Sequence, residues 1–218
     1  MFIQNGFNMY SIIAAIIVIL IALPLHELAH GFVADRLGDT TPRYQGRLTF
    51  NPLAHLDPIG SLMILFVGFG WAKPVQVNPR NFKNPKLGMM LTAAAGPLSN
   101  LLIAFVSLLL SRCSLVFLFP VSPDIGFNLS QILFWCCNIN LFLAVFNLIP
   151  IPPLDGSRIL LYFLPSKIYF QIMRYERYIY IGFMILVLSG ALTVPISFAA
   201  NQIFSLFSRI CLFIIPGA

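Results

Sequence analysis

Apolar positions along this chain come in long unbroken blocks, not in the stripes of a fold that turns one face to water. Residues 10–31, 88–111, 131–151, 177–194 and 196–215 each approach the roughly 20 apolar positions that a helix needs to cross a bilayer core, and predict five membrane spans. The last carries Asn201, Gln202, Ser205 and Ser208 behind Pro195, so a surface helix after a proline break is the alternative there. Ile59 to Gly70 is apolar over only about 12 residues, too short to span, and fits a re-entrant or partly inserted segment. On its flanks, Arg47-Leu48-Thr49-Phe50 and Val75-Gln76-Val77-Asn78 alternate with a period of two and predict a small strand pair at the membrane face. The expected fold class is therefore an all-α polytopic membrane protein. It has about five transmembrane helices and a short re-entrant or strand-containing segment after the first. No repeat, low-complexity tract or soluble insert divides it, so residues 1–218 read as one membrane domain with a core over 10–165 and additional segments over 177–215.

Composition agrees with the pattern. Hydrophobic residues make up 59% of the chain and charged residues 9%, against about half and a quarter in soluble domains. The first apolar run, from Tyr10 to Leu25, has no Lys or Arg before it and no small-residue cleavage site after it, so it is expected to stay in the protein as a span. The net charge of +6 lies in the gaps between apolar blocks, which points to a membrane surface and away from nucleic acid. The four cysteines, Cys113, Cys136, Cys137 and Cys211, show no CxxC spacing and read as apolar filler.

Positive charge also sets an expected orientation. Arg36, Arg43, Arg47, Lys73, Arg80, Lys83 and Lys86 follow the first span, and Arg158, Lys167, Arg174 and Arg177 lie between the third and fourth. Both loops are expected to be cytoplasmic. The loop with Arg112 and Asp124 then faces outward, and so does the N-terminus.

Candidate chemistry sits where the first span meets the first of those loops. His26-Glu27-Leu28-Ala29-His30 places two histidines four apart, so on a helix both imidazoles project from one face, one turn apart, and can share a metal. Glu27 lies beside them, where a general base takes a proton from metal-bound water. Ionisable groups within a span are costly and mark function. A catalytic zinc needs a third protein ligand and an open position. Of the seven acidic residues, Asp35, Asp39 and Asp57 lie in the first loop, Asp124 lies outside and Glu176 lies in a charged run. Asp155 stands apart, in Asn147-Leu148-Ile149-Pro150-Ile151-Pro152-Pro153-Leu154-Asp155-Gly156 at the end of the third span. Three prolines in four residues cannot continue a helix, and an unwound end there is able to turn the carboxylate inward.

HELAH and NLIPIPPLDG resemble the site-2 protease family of intramembrane zinc metalloproteases. Gly46 to Gly60, Trp71 to Pro79 and Ala95-Gly96-Pro97-Leu98-Ser99-Asn100 resemble its compact bacterial branch, and the resemblance covers most of residues 20 to 165. It implies one zinc ion held by His26, His30 and Asp155, with Glu27 as the base. It also places Asn147 at the family asparagine, where the amide serves either as an oxyanion donor or as a partner for carbonyls freed by Pro150. His55 falls in a family HLDP string, as a substrate or metal-site helper or as a loop histidine bonded to backbone. Asn100 follows a Gly-Pro pair, as a substrate-facing group or as part of helix packing.

The function so implied is hydrolysis of peptide bonds in transmembrane or membrane-adjacent protein substrates, that is, regulated intramembrane proteolysis at the cytoplasmic face of a bacterial plasma membrane. The lipid bilayer is the other expected partner, nucleic acid is not, and neither a PDZ nor a CBS domain is expected. A metal transporter is the rival reading, but it would need further His, Asp or Glu in the outer halves of the spans. A catalytically silent zinc-binding protein would have lost the base or a ligand, and none is missing.

Overall fold

The structure is a computed structural model that describes residues 8–67 and 73–216. Asn8 starts the first helix, its side chain accepting from the Tyr10 and Ser11 amides of the first turn. From there α1 (Met9–Ile17) runs through a π-helical turn, Val18–Ala22, into α2 (Leu23–Arg36), a continuous 28-residue apolar rod. Pro24 has no N–H to donate, and the wider π-helical turn lies just before it. The short α3 (Thr41–Tyr44) and α4 (Pro58–Val67) follow, then the long α5 (Pro85–Cys113), α6 (Pro123–Asn147), α7 (Asp155–Phe163), α8 (Ser166–Leu188) and α9 (Thr193–Ile214).

Small side chains bring these helices together. Ala14, Ala15, Val18 and Ala22 of the first rod pack with Cys136 and Ile139 of α6, while Ala104 and Leu108 of α5 meet Cys137 and Leu141 of α6 and Cys211 of α9. Between helices in lipid, close backbone approach through such residues replaces the hydrophobic drive available in water. Cys136, Cys137 and Cys211 are buried and unpaired by disulfide, in keeping with their reading as filler.

Among the described residues four helices are long and apolar enough to cross a membrane: Met9–Arg36, Pro85–Leu118, Pro123–Asn147 and Thr193–Ile214. The fourth expected span, 177–194, falls short. The apolar part of α8 covers only Arg177–Leu188, because Gly190, at a φ of 72°, turns the chain. The fifth block does form a long helix. Pro195 sits in the first turn of α9, where a missing N–H costs nothing, so it does not break the helix.

The expected strand pair does not form, and no strand occurs among the described residues. Residues 73–78 form no helix or strand, and three of their amides are drawn elsewhere: Lys73 to the His55 carbonyl, Val75 to Glu27 and Asn78 to Asp39. A ladder needs those donors, and the Glu27 and Asp39 side chains and the His55 carbonyl hold them. The apolar segment expected over 59–70 is helical as far as Val67, with the Asp57 carboxylate accepting from Gly60, and at 10 residues is about 15 Å long, half a bilayer core. Its end at Gly70 lies outside the described residues.

Candidate metal centre

Three elements meet at the end of the first rod. α2 brings His26, Glu27 and His30; α5 runs beside it with Gly96 facing both imidazoles; and the unwound stretch 148–154 delivers Asp155 as the first residue of α7. Gly96 is what lets α5 come this close. A Cβ there would stand 2.6 Å from His26 Cε1 and would collide with the His30 ring. Gly156 plays a similar part in the turn, because a Cβ on it would run into the backbone of Leu148 and Ile149.

The donor atoms converge. His26 Nε2 and His30 Nε2 are 3.0 Å apart, and Asp155 Oδ2 is 3.3 Å from each. Three ligands at about 2.05 Å around one tetrahedral zinc would stand about 3.3 Å apart. The triangle therefore has the size of a zinc ligand set.

Hydrogen bonding fixes which atoms face its centre. His30 Nδ1 lies 2.7 Å from the Thr92 carbonyl, an atom that only accepts, so Nδ1 carries the proton and Nε2 presents its lone pair inward. Such a bond at the far nitrogen is what orients metal-ligating histidines. His26 Nδ1 finds no such partner among the described residues. Both histidines are buried, and Asp155 Oδ2 is a buried oxygen without a hydrogen-bond donor. A carboxylate oxygen so placed is costly unless a cation completes it, and the residues fit a zinc ion on that ground.

Glu27 is half-buried beside the triangle, and its Oε2 accepts the Val75 amide at 2.9 Å. The structure thus brings His26, His30 and Asp155 together, with Glu27 next to His26 on the same helix. The other three expected residues lie as follows. Asn147 closes α6 and donates its amide to the Leu143 carbonyl at 3.0 Å, one turn back in its own helix. His55 is fully buried with Nε2 2.9 Å from the Thr49 carbonyl, while its own carbonyl accepts from Lys73, so it organises the loop. Asn100, on α5 one turn beyond Gly96, is 0% exposed, and neither polar atom of its side chain has a partner among the described residues.

Sequence reasoning missed three contributors. The Thr92 carbonyl and the Val75 amide are backbone groups that leave no mark on residue type. Gly96 left one, a Gly-Pro pair inside an apolar helix, which reads equally well as simple helix packing.

Residues 115–189 match the description Peptidase family M50. YwhC of Bacillus subtilis (strain 168), named as a zinc metalloprotease, is 41% identical over 171 residues, covering 78% of each chain. Zinc metalloprotease MJ0392 of Methanocaldococcus jannaschii is 30% identical over 151 residues, 69% of this chain and 34% of that one. Rip2 of Mycobacterium tuberculosis (strain H37Rv), also named as a zinc metalloprotease, is 33% identical over 141 residues, 63% of this chain and 52% of its own. No solved structure matches the chain.

Proposed function

The chain belongs to peptidase family M50, the site-2 proteases, and is an integral membrane zinc metallopeptidase; from that premise we propose that it cleaves transmembrane or membrane-adjacent protein substrates, in regulated intramembrane proteolysis. The observation that carries the reading is the triangle of His26 Nε2, His30 Nε2 and Asp155 Oδ2, with Glu27 next to it on the same helix. In this reading His26, His30 and Asp155 hold the ion. Zinc, when bound, supplies a Lewis acid and a water acidified to near neutral pKa.

Glu27 takes the proton of the attacking water and later delivers it to the leaving amine, so the carboxylate is regenerated each turnover. Asn147 serves as the oxyanion donor once its amide leaves the Leu143 carbonyl. A helical substrate hides its carbonyls in hydrogen bonds, so it must fray before it reaches Glu27. Charge asymmetry supports a cytoplasmic site and an outside N-terminus in a bacterial plasma membrane.

The test is to purify the protein, measure zinc, and compare wild type with Glu27→Gln on an unfolded or membrane-bound substrate. Loss of cleavage with zinc retained is expected. Full activity in Glu27→Gln would sink the mechanism, and active wild type without bound metal would sink the ligand assignment. Reporter fusions at residues 80 and 120 are expected on opposite sides, with residue 80 cytoplasmic; the same side for both would refute the orientation.

A further inference from the structure

The exit of α2 is built around one carboxylate. Gly38, at a φ of 109°, turns the chain so that the Asp39 amide bonds back to the Ala34 carbonyl at 2.9 Å, which ties residue 39 rigidly to the helix that bears Glu27. The Asp39 side chain is 0% exposed. Its Oδ1 accepts from the Thr41 amide at 3.1 Å, the Thr41 hydroxyl at 2.5 Å and Asn81 Nδ2 at 2.7 Å, and its Oδ2 accepts the Asn78 amide at 2.7 Å. Two of these four donors belong to the segment that follows residue 72. At its other end, the Lys73 amide is held by the His55 carbonyl at 2.8 Å. Between the two anchors the Val75 amide reaches Glu27 Oε2 at 2.9 Å, and Val75 Cγ1 lies 3.6 Å from where a Cβ on Gly31 would stand, one turn along from Glu27.

We propose that residues 73–78 are a strap, pinned by Asp39 and His55, whose Val75 N–H orients the Glu27 carboxylate for proton transfer, and that Asp39 is a positioning residue acting through it. The proposal rests on Glu27 being the base. A glutamate carboxyl rotates broadly about its last torsion. A donor fixed on Oε2 sets the plane of the group and leaves Oε1 to take the proton. Both ends of that hydrogen bond are referred to the same helix: Glu27 directly, and Val75 through Asn78, Asn81 and Asp39. The base is therefore held to α2 without a second side chain entering the site. This explains why a buried acid outside the metal triangle gathers donors from the strap, and why the 73–78 amides are withheld from a sheet.

The experiment uses the full chain in detergent, with zinc content, steady-state kinetics and amide hydrogen exchange read on each variant. Val75→Pro deletes the N–H in a segment outside any helix, and Val75→Ala keeps the N–H while trimming the side chain. The expected result is a fall in kcat for Val75→Pro roughly 10- to 100-fold greater than for Val75→Ala, with KM and zinc content little changed, since an ångström of misplacement is worth about that much. Asp39→Ala is expected to lower kcat in the same sense, and the double variant Asp39→Ala/Val75→Pro to be little worse than Val75→Pro alone. In exchange, the Val75 amide is expected to be slow in wild type and faster in both Glu27→Ala and Asp39→Ala. Equal kcat for the two Val75 variants overturns the proposal. So does Val75 exchange that ignores Glu27→Ala, a readout that holds even if Val75→Pro does not fold. Failure of the function reading looks different: Glu27→Gln stays active while Val75 protection still depends on Glu27.

Discussion

Gly96→Ala isolates the geometry of the metal centre from its chemistry, because it adds one methyl group and removes no ligand. The new Cβ would stand 2.6 Å from His26 Cε1 and against the His30 ring. Carbon atoms rest at about 3.5 Å or more, so the His26 ring alone must retreat by roughly 0.9 Å. The His30 ring is restrained by its 2.7 Å bond to Thr92, a residue on the same α5 that carries the intruding methyl, so moving the helix away pulls on that bond as well. Zinc–ligand distances tolerate about 0.2 Å. A displacement several times larger is expected to lower zinc affinity and cleavage each by roughly 100-fold. The assay is a zinc titration against a chromophoric chelator on the purified protein, with proteolysis in parallel. Gly182→Ala is the matched control: among the described residues nothing lies within 4 Å of its Cβ, so the same substitution there is expected to keep zinc and to stabilise the helix by about 0.5–1 kcal/mol. Zinc affinity and cleavage near wild type in Gly96→Ala would refute the packing of α5 against the histidines.

Asp155→Asn is expected to lose stoichiometric zinc and all cleavage, and chelation of wild type to abolish cleavage until zinc is returned; metal analysis and activity measured together check both. Gly156→Ala places a Cβ against the Leu148 and Ile149 backbone, which cannot swing aside, and is expected to cost about 2–4 kcal/mol in chemical unfolding and to weaken zinc binding by shifting Asp155. For Asp39, burial raises the carboxyl pKa, but hydrogen bonds from Thr41, Asn81 and Asn78 outweigh it and leave the folded value below the usual one. A depressed folded pKa stabilises fully above the unfolded value of about 3.9 and stops doing so as pH falls through the folded value. The difference in thermal stability between wild type and Asp39→Asn is thus expected to be largest near neutral pH and to shrink below about pH 4; a difference independent of pH would contradict the assignment.

The spans that the sequence predicts best are those where apolar residues run unbroken and no turn signal competes. The first, second and third blocks each lie in one long helix that starts earlier than expected, at the Asn8 and Asn84 caps and at Pro85 and Pro123 in first turns, while α6 ends at Asn147, four residues short of the expected 151. The fourth and fifth blocks were read less well, because Gly190 and Pro195 lie only five residues apart and hydrophobicity does not say which ends a helix. Residues 47–50 and 75–78 have the right alternation for strands. Whether they pair depends on who takes their amides, and Asp39 and Glu27 compete from other parts of the chain.

For the site, residue identity alone determined most of the chemistry. Two histidines at helical spacing, an acid between them and a single well-placed aspartate leave few other ways to hold a metal in so apolar a chain, because ionisable groups there are too costly to be idle. Tertiary structure decided what type and spacing cannot encode: that Asp155, 125 residues beyond His30, closes the triangle at 3.3 Å, that a missing side chain at Gly96 makes room for it, and that two backbone groups, the Thr92 carbonyl and the Val75 amide, hydrogen-bond His30 and Glu27. The physical reason is that a peptide group is the same at every residue, so its role is set only by what the fold brings within reach of it.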